Sequence, residues 1–288
     1  MNILTSNEFK LHTRIGNKIF NLAFLLGCVK KYNRELILPD YFLFKYLKNK
    51  INTDNEIKGE ITFHFRHDGF DPIYVDDFFK ENEAKSINLA INPYCQSERW
   101  WEHCKDYVLE MLEFKEEEIN KVKEQYKEFF TKPTVGISIR LGTDFTGDKG
   151  FFQISHQWYI DVLNTHFPRW KTDFNIIVYS DNINLAKKIF NEYPFLYAEE
   201  NKTYILQYDS EHYHSEKAMN HLILGSLMTH FISSNSTFSY WCAYLSKNRK
   251  DNKDGMVICS GRNFDNHYLE TTKNIDYYPK DWIIHPVK

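Results

Sequence analysis

The chain has 288 residues, 42% of them hydrophobic and 17% aromatic, which is enough to bury one large core or two smaller ones. Its formal net charge of −3 gives no reason to expect nucleic acid or an anionic membrane surface as the main partner.

The cysteines and the N-terminus indicate the compartment. The five cysteines form no C-x-x-C pair, which argues against a disulfide framework and against a thiolate metal site. They are Cys28, Cys95, Cys104, Cys242 and Cys259. The N-terminus has no apolar signal-peptide segment, and the apolar stretch at 19–29 is too short to span a bilayer. We therefore expect a soluble cytoplasmic protein without stable membrane insertion, or one bound peripherally at the inner face of the membrane.

The first part of the chain gives few regular elements. Residues 16–32 carry a broad apolar face at helical spacing and predict a helix. Residues 35–38 predict a short strand that Pro39 ends. Between 48 and 72 the sequence is polar and predicts loops around a short FHF strand.

An exposed amphipathic helix is predicted at 113–130. Its apolar residues recur at spacings of three and four, and its charged residues are interpreted as a solvated face. Thr131-Lys132-Pro133 closes this helix. We expect the domain boundary there, with one domain at 1–132 and a second at 133–288.

The second half alternates strands with helices. Strands are predicted at 134–140, 174–181, 231–235 and 256–260, and helices near 156–166, 183–192, 216–230 and 236–248. This alternation predicts a parallel sheet covered by helices on both faces, which is a Rossmann-type α/β domain.

Polar residues follow three of these strands. They are Arg140 with Gly142, Ser180-Asp181, and Ser234-Asn235-Ser236. Because ligands of such sheets bind beyond the carboxyl ends of the strands, this convergence predicts a binding site. Arg140 has a structural alternative, in which it pairs with a carboxylate such as Asp181 or Asp144. Its position alone leaves both interpretations open.

The turn into the last predicted helix also has two interpretations. Ser236 and Thr237 stand where the helix begins, and such residues cap free amides by themselves. The same amides and hydroxyls are suited to hold a phosphate, because a helix N-terminus is an anion-binding site.

Three segments resemble the α1,2-fucosyltransferase family. Residues 231–245 are similar to its C-terminal signature, close to N-S-S-F-S-W-W-x-A-x-L, residues 14–38 to its G-x-L-G-N-Q-x-F-x-x-A-F-A segment, and YSDN at 179–182 to its F-S-D-D strand end. The matches are collinear and cover most of the chain, most weakly between 45 and 130. The matching residues are Gly16, Asn17, Phe20, Ala23, Phe24, Asn235, Ser236, Phe238, Ser239, Trp241, Ala243 and Leu245.

The family motif H-x-R-R-x-D is only partly present. The corresponding stretch begins at Ser138 and has Arg140, Leu141 and, one place late, Asp144. Arg140 falls on the arginine that the resemblance assigns to the pyrophosphate of GDP-fucose, and a guanidinium matches phosphate geometry bidentately. The replaced His and second Arg leave open a different sugar-nucleotide donor, or a non-catalytic glycan- or nucleotide-binding relative.

The resemblance implies a GT-B-type α/β fold, with two facing Rossmann-like domains and the active site in the cleft between them. Residues 1–132 would face the acceptor and residues 133–288 would bind the donor. The implied reaction is inverting and metal-independent: L-fucose passes from GDP-fucose to a hydroxyl of a surface oligosaccharide, with the galactose 2-OH as the expected position. No cofactor besides this donor substrate is expected, and the oligomeric state stays open.

The resemblance also implies roles for individual residues. Arg140, Asn17 and Asp144 are the catalytic candidates, with Asn17 positioning the reactants and Asp144 as the nearest carboxylate for proton removal. Glu216 has an alternative as a favourable charge at a helix start. The donor-binding candidates are Arg140, Gly142, Asp181, Glu216, Asn235, Ser236, Thr237 and Phe238.

Two further patterns, a tryptophan pair and a histidine pair, each have a structural alternative. Trp100 and Trp101 suit the C–H faces of sugar rings, although core packing is the more common fate of such residues. His64 and His67, beside Asp68, are three residues apart, which on a strand points them to opposite faces. No metal site is therefore predicted.

Overall fold

The computed structural model describes residues 2–9, 14–66, 70–83, 87–142, 152–198, 216–262 and 276–287. The chain divides into two compact units. The first unit comprises Met1–Lys115 and Thr272–Pro279, and the second comprises Glu116–Thr271 and Lys280–Lys288.

The first unit is built on a parallel sheet of four strands, in the order β2-β1-β4-β3. The expected strands near 35–38 and around FHF are present, whereas β1 and β4 were not predicted. β1 has only 3 residues, too few to show an alternation. The strands are β1 (Ile3–Thr5), β2 (Glu35–Leu36), β3 (Ile61–Arg66) and β4 (Leu89–Tyr94).

The predicted N-terminal helix is confirmed as α1, Ile15–Tyr32. Its residues from Ile15 to Cys28 are almost all buried, because apolar side chains cover most of its circumference. Asn33 ends the helix in the left-handed conformation, with φ 50°. Two further α-helices are α2 (Ile73–Glu81) and α3 (Lys105–Met111), and short 3-10 helices cover Phe42–Tyr46, Glu98–Trp100 and Glu102–Cys104.

The second unit contains a parallel sheet of six strands, in the order β10-β9-β8-β5-β6-β7. The predicted Rossmann-type alternation is confirmed, and all six residues of β5 are buried, as expected for a central parallel strand. The two-residue strands β7 and β10 were not predicted. The strands are β5 (Thr134–Ile139), β6 (Asn175–Ser180), β7 (Leu196–Tyr197), β8 (His230–Ser233), β9 (Val257–Cys259) and β10 (Ile283–Ile284).

The helices of the second unit follow the sequence prediction with shifted ends. The segment predicted as one helix at 113–130 is an α-helix followed by a 3-10 helix, Lys127–Thr131. The α-helices are α4 (Glu116–Gln125), α5 (His156–His166), α6 (Trp170–Asp173), α7 (Ile183–Ile189), α8 (Glu216–Ser226) and α9 (Thr237–Lys247).

The compact units divide at a different point from the expected domain boundary at Thr131-Lys132-Pro133. Their division falls between Lys115 and Glu116. The physical reason is the packing of α4, whose Val122 is 1% exposed and which contacts α8 of the second unit. The amphipathic helix is therefore part of the second unit, and the boundary of the functional domains stays a prediction.

Candidate functional site

The strand order of the second unit defines where its sheet changes direction. From β5 the chain continues to β6 and β7 on one side, and it then returns to β8 on the other. The carboxyl ends of β5 and β8 thus flank a topological switch point, where ligands of open parallel sheets bind. Ile137 pairs with Ile232, and continuing this register sets Arg140 level with Asn235. Two of the three predicted polar strand ends are therefore neighbours.

Arg140 forms an ion pair with Asp181, the residue that follows β6. Its Nη1 atom lies 2.9 Å from Oδ2 of Asp181, and the two side chains are only 18% and 14% exposed. The backbone N–H groups of Leu141 and Gly142 donate to the two oxygens of the same carboxylate at 2.7 and 2.8 Å. One carboxylate thus orients both the guanidinium and the loop that follows β5. The pairing with Asp181 is confirmed, and direct donor contact by Asp181 or Gly142 stays a prediction.

The stretch after β6 is a strand-to-helix turn closed by its own side chains. The Ser180 hydroxyl accepts from the N–H of Asn182 at 3.0 Å, and Oδ1 of Asn182 accepts from the N–H of Leu185 at 3.1 Å. Asn182 is therefore the N-cap of α7. These bonds fix the turn beside Asp181 and so help to fix the guanidinium.

The N-terminus of α9 is not capped by the side chain of Ser236. Ser236 is the N-cap residue, and its side chain makes no capping hydrogen bond. The ordinary N-cap interpretation is therefore wrong for this side chain. Ser239 closes the turn instead, because its hydroxyl accepts from the N–H of Ser234 at 3.0 Å and lies 3.0 Å from the hydroxyl of Ser233. The sequence gave no role to Ser239 beyond its match to the family signature.

A buried hydroxyl lies at the same turn. Ser234 is 1% exposed, and its Oγ has no hydrogen-bond partner among the described residues. Leaving such a group unpaired costs about 1–3 kcal/mol, which a bound ligand would recover. Asn235 is used differently, since its Nδ2 donates to the carbonyl of Phe152 at 2.8 Å. Thr237 and Phe238 form the first turn of α9, and their contact with a donor stays a prediction.

The first unit has its own switch point, between β1 and β4. There Oδ1 of Asn92 accepts from the Ser6 hydroxyl at 3.1 Å and from the N–H of Glu8 at 3.2 Å. Nδ2 of Asn92 and Oγ1 of Thr5 are buried, and within the described ranges neither has a hydrogen-bond partner. This cluster was not predicted from the sequence, because neither strand that carries it was predicted.

Asn17 lies in the first turn of α1 and not in a loop before it. Its Oδ1 accepts from Nε2 of Gln96 at 3.2 Å, which fixes the direction of the amide. Gln96 follows β4, so Asn17 is tied to the carboxyl end of the first sheet. Its catalytic role stays a prediction.

Lys18 is a buried cation that the sequence analysis did not single out. It is 1% exposed, its Nζ donates to the carbonyl of Glu8 at 3.4 Å, and it lies 5.2 Å from the centre of the Phe9 ring. Burial lowers the pKa of Lys18 to about 8, and the charge of Glu8 opposes that change only in part. A signal was present, because Lys18 stands at helical spacing from the buried Ile15 and Leu22.

Some predicted residues lie outside the described part of the chain. These are Thr143 and Asp144 of the motif, together with His67 and Asp68. Glu216 begins α8, and its side chain is outside the described part of the structure.

Across the described ranges, no group of three or more His, Cys, Asp or Glu side chains could hold a metal ion. No described helix is both long and apolar enough to cross a membrane.

The fold and the polar strand ends define a class of structure. The chain has a mixed α/β fold with parallel sheets, matching the GT-B-like structures of fucosyltransferases. Neither family models nor curated proteins match the sequence.

The similarity to individual solved structures is extensive in length and low in sequence identity. The fucosyltransferase NodZ from Bradyrhizobium matches with a TM-score of 0.52 and 11% identity, over 84% of this chain and 91% of that chain. NodZ α1,6-fucosyltransferase soaked with GDP-fucose matches with a TM-score of 0.54 and 12% identity, over 84% of this chain and 91% of that chain. POFUT1 in complex with GDP-fucose matches with a TM-score of 0.57 and 11% identity, over 89% of this chain and 97% of that chain. At these identities the likeness shows a shared fold.

Proposed function

We propose that the protein is a glycosyltransferase that moves L-fucose from GDP-fucose to a sugar hydroxyl. The observation that carries this proposal is the switch point of the second sheet, where two groups follow adjacent strands. They are the oriented guanidinium of Arg140 and the hydroxyl of Ser234, which has no hydrogen-bond partner within the described part of the chain. The fold shared with fucosyltransferases that were solved with GDP-fucose supports GDP-fucose as the proposed donor.

Departure of GDP places growing negative charge on the diphosphate. Arg140 is suited to stabilise that charge, because Asp181 holds the guanidinium in place before the donor binds. The first amides of α9, at Thr237 and Phe238, add the positive end of an 11-residue helix. The Ser234 hydroxyl supplies a further hydrogen-bond donor. Together these groups favour the departed diphosphate over the intact donor.

The acceptor hydroxyl must lose a proton as the new bond forms. The first unit is proposed to hold the acceptor at the carboxyl ends of β1 and β4, where Asn17 is oriented by Gln96. Asp144 is the proposed proton acceptor, on the sequence motif alone. The finer proposal of an α1,2 linkage to galactose rests on the sequence signature at 231–245, whereas NodZ is an α1,6-fucosyltransferase.

A second candidate keeps the nucleotide site and changes or abolishes the transfer. Leu141 stands where the family motif has its second arginine, and its side chain packs against the apolar core of the second unit. The charge expected at that position is therefore missing. A different sugar-nucleotide donor, or nucleotide and glycan binding without turnover, would fit this observation.

Thermal unfolding in saturating GDP, UDP, dTDP or CMP tests the donor first. A ligand that binds only the folded protein, at 100 times its dissociation constant, adds about 2.7 kcal/mol to the free energy of unfolding. We expect a selective response to GDP. Selective stabilisation by another nucleotide would mean that the donor carries that nucleotide instead of GDP. If none of the four nucleotides stabilised the protein, the proposal would be overturned. Product analysis by mass spectrometry and NMR then separates transfer from binding alone and identifies the linkage.

A further inference from the structure

A pocket of about 540 Å³ lies in the first unit, beside the C-terminal half of α1. Its volume falls within the range of about 300–1,000 Å³ that small-molecule sites occupy. The pocket is formed by α1, by the start of α2 and by the segment that follows β4. The lining residues that matter here are Lys31, Tyr32, Phe70, Arg99, Trp100 and Glu102.

One wall of the pocket is aromatic and fixed in place. The rings of Phe70 and Trp100 are 4.8 Å apart and inclined at 59°, and Trp100 is 6% exposed. The guanidinium of Arg99 lies over the Phe70 ring at 4.3 Å. Trp100 is thus buried in the core and also lines the pocket. Core packing and a sugar-binding surface, the two roles considered for it from the sequence, are therefore compatible. Such a wall suits the C–H face of a sugar ring.

The charges of the pocket are balanced within the protein. Nζ of Lys31 lies 2.6 Å from a carboxylate oxygen of Asp76, and Nη1 of Arg99 lies 3.2 Å from one of Asp276. Glu102 adds a further carboxylate to the lining. A phosphate or carboxylate ligand would meet no excess positive charge here and would lose its hydration. A neutral ligand with many hydroxyls would find both donors and acceptors.

We propose that this pocket binds a neutral saccharide. Resting on the fucosyl transfer proposed above, the pocket holds a remote sugar unit of the acceptor. Asn17 and Gly27 both lie on α1, ten residues apart, which corresponds to about 15 Å along the helix axis at ~1.5 Å per residue. A single sugar cannot bridge that distance. The acceptor is therefore an extended neutral oligosaccharide, whose far end contributes binding energy away from the reacting hydroxyl.

The test uses the full chain on an array of neutral and anionic oligosaccharides, followed by calorimetry with the best neutral glycan. Phe70→Ala removes one of the two rings of the aromatic wall and should weaken saccharide binding at least tenfold. Glu102→Ala removes an exposed acceptor of the lining and should weaken it severalfold without touching the core. Tyr74→Ala is the matched control, because Tyr74 is an aromatic residue of α2 that is 61% exposed and outside the lining.

Calorimetry with GDP on the same variants separates the two proposals. We expect GDP affinity to be unchanged by all three substitutions. Binding of no neutral glycan, binding of anionic glycans only, or equal affinity of wild type, Phe70→Ala and Glu102→Ala would overturn the pocket assignment while leaving the GDP result intact. If saccharide binding depends on Phe70 but GDP does not bind, the proposal of a saccharide site would stand and the proposal of fucosyl transfer from GDP-fucose would fall.

Discussion

Replacement of Lys18 by methionine removes a buried charge and keeps the length of the side chain. The pKa of Lys18 is lowered from 10.5 to about 8 by burial. Since each pKa unit corresponds to about 1.4 kcal/mol, the folded state carries a cost of about 3 kcal/mol when Lys18 is protonated. We therefore expect Lys18→Met to raise the free energy of unfolding at pH 7 by about 2–3 kcal/mol.

The pH dependence gives this prediction its sign. Below pH 8 both the folded and the unfolded chain carry the proton, so the full cost is present. Between pH 8 and 10.5 the folded chain loses its proton first, and the wild type regains stability relative to the variant. The difference between the two proteins should shrink by about 1 kcal/mol from pH 7 to pH 9.

Urea unfolding followed by circular dichroism at the two pH values measures this difference. Lys30→Met is the matched control, since Lys30 is an exposed lysine on the same helix. Comparing variants cancels the titration of cysteines and tyrosines elsewhere. A destabilised Lys18→Met protein at pH 7, or a difference that does not change with pH, would contradict a buried charge on Lys18 in the folded protein.

Three further substitutions address the second unit. Arg140→Ala should weaken GDP binding about 10–100-fold by calorimetry, which corresponds to the ~1.5–3 kcal/mol of charged hydrogen bonds. The free energy of unfolding should change little, because Asp181 keeps its two backbone donors. Arg140→Lys should recover only part of the affinity for GDP, and unchanged GDP binding by Arg140→Ala would remove Arg140 from the site. Ser234→Ala should leave the urea midpoint equal or higher and still weaken GDP binding, whereas a clear loss of stability would reveal a structural role. Ser239→Ala should cost about 1–3 kcal/mol in urea unfolding, because it strands the buried N–H of Ser234; a midpoint equal to that of wild type would contradict the proposed closure of the turn.

The sequence allowed the regular part of the fold to be predicted. Helix α1 and strands β5, β6, β8 and β9 are long or apolar enough to show their period, and the alternation after residue 133 identified a parallel sheet. Strand β1 has 3 residues and β10 has 2, and no periodicity exists at that length. In the first sheet β2 and β3 were predicted, whereas β1 and the six-residue β4 were not, and with these two strands the polar cluster around Asn92 was missed.

The site was predictable as a set of strand ends and not as a set of contacts. Arg140 and Asp181 could be named because each follows an apolar strand. Strand order, however, depends on tertiary packing, so the adjacency of β5 and β8 and the hydrogen bonds from the N–H groups of Leu141 and Gly142 to Asp181 were beyond the sequence. The same holds for Ser234, because only the three-dimensional structure shows that its hydroxyl has no hydrogen-bond partner among the residues described.

The segment Thr272–Pro279 belongs to the first unit although it lies near the other end of the chain. There Tyr277 is 2% exposed with its ring 6.1 Å from that of Phe20, and Asp276 pairs with Arg99. During synthesis, the unit that emerges first must wait for nearly the whole chain before its core can close. At about 5–20 residues per second that wait is on the order of ten seconds. Until then the ring of Phe20 has Trp101 as a neighbour and lacks the contact with Tyr277.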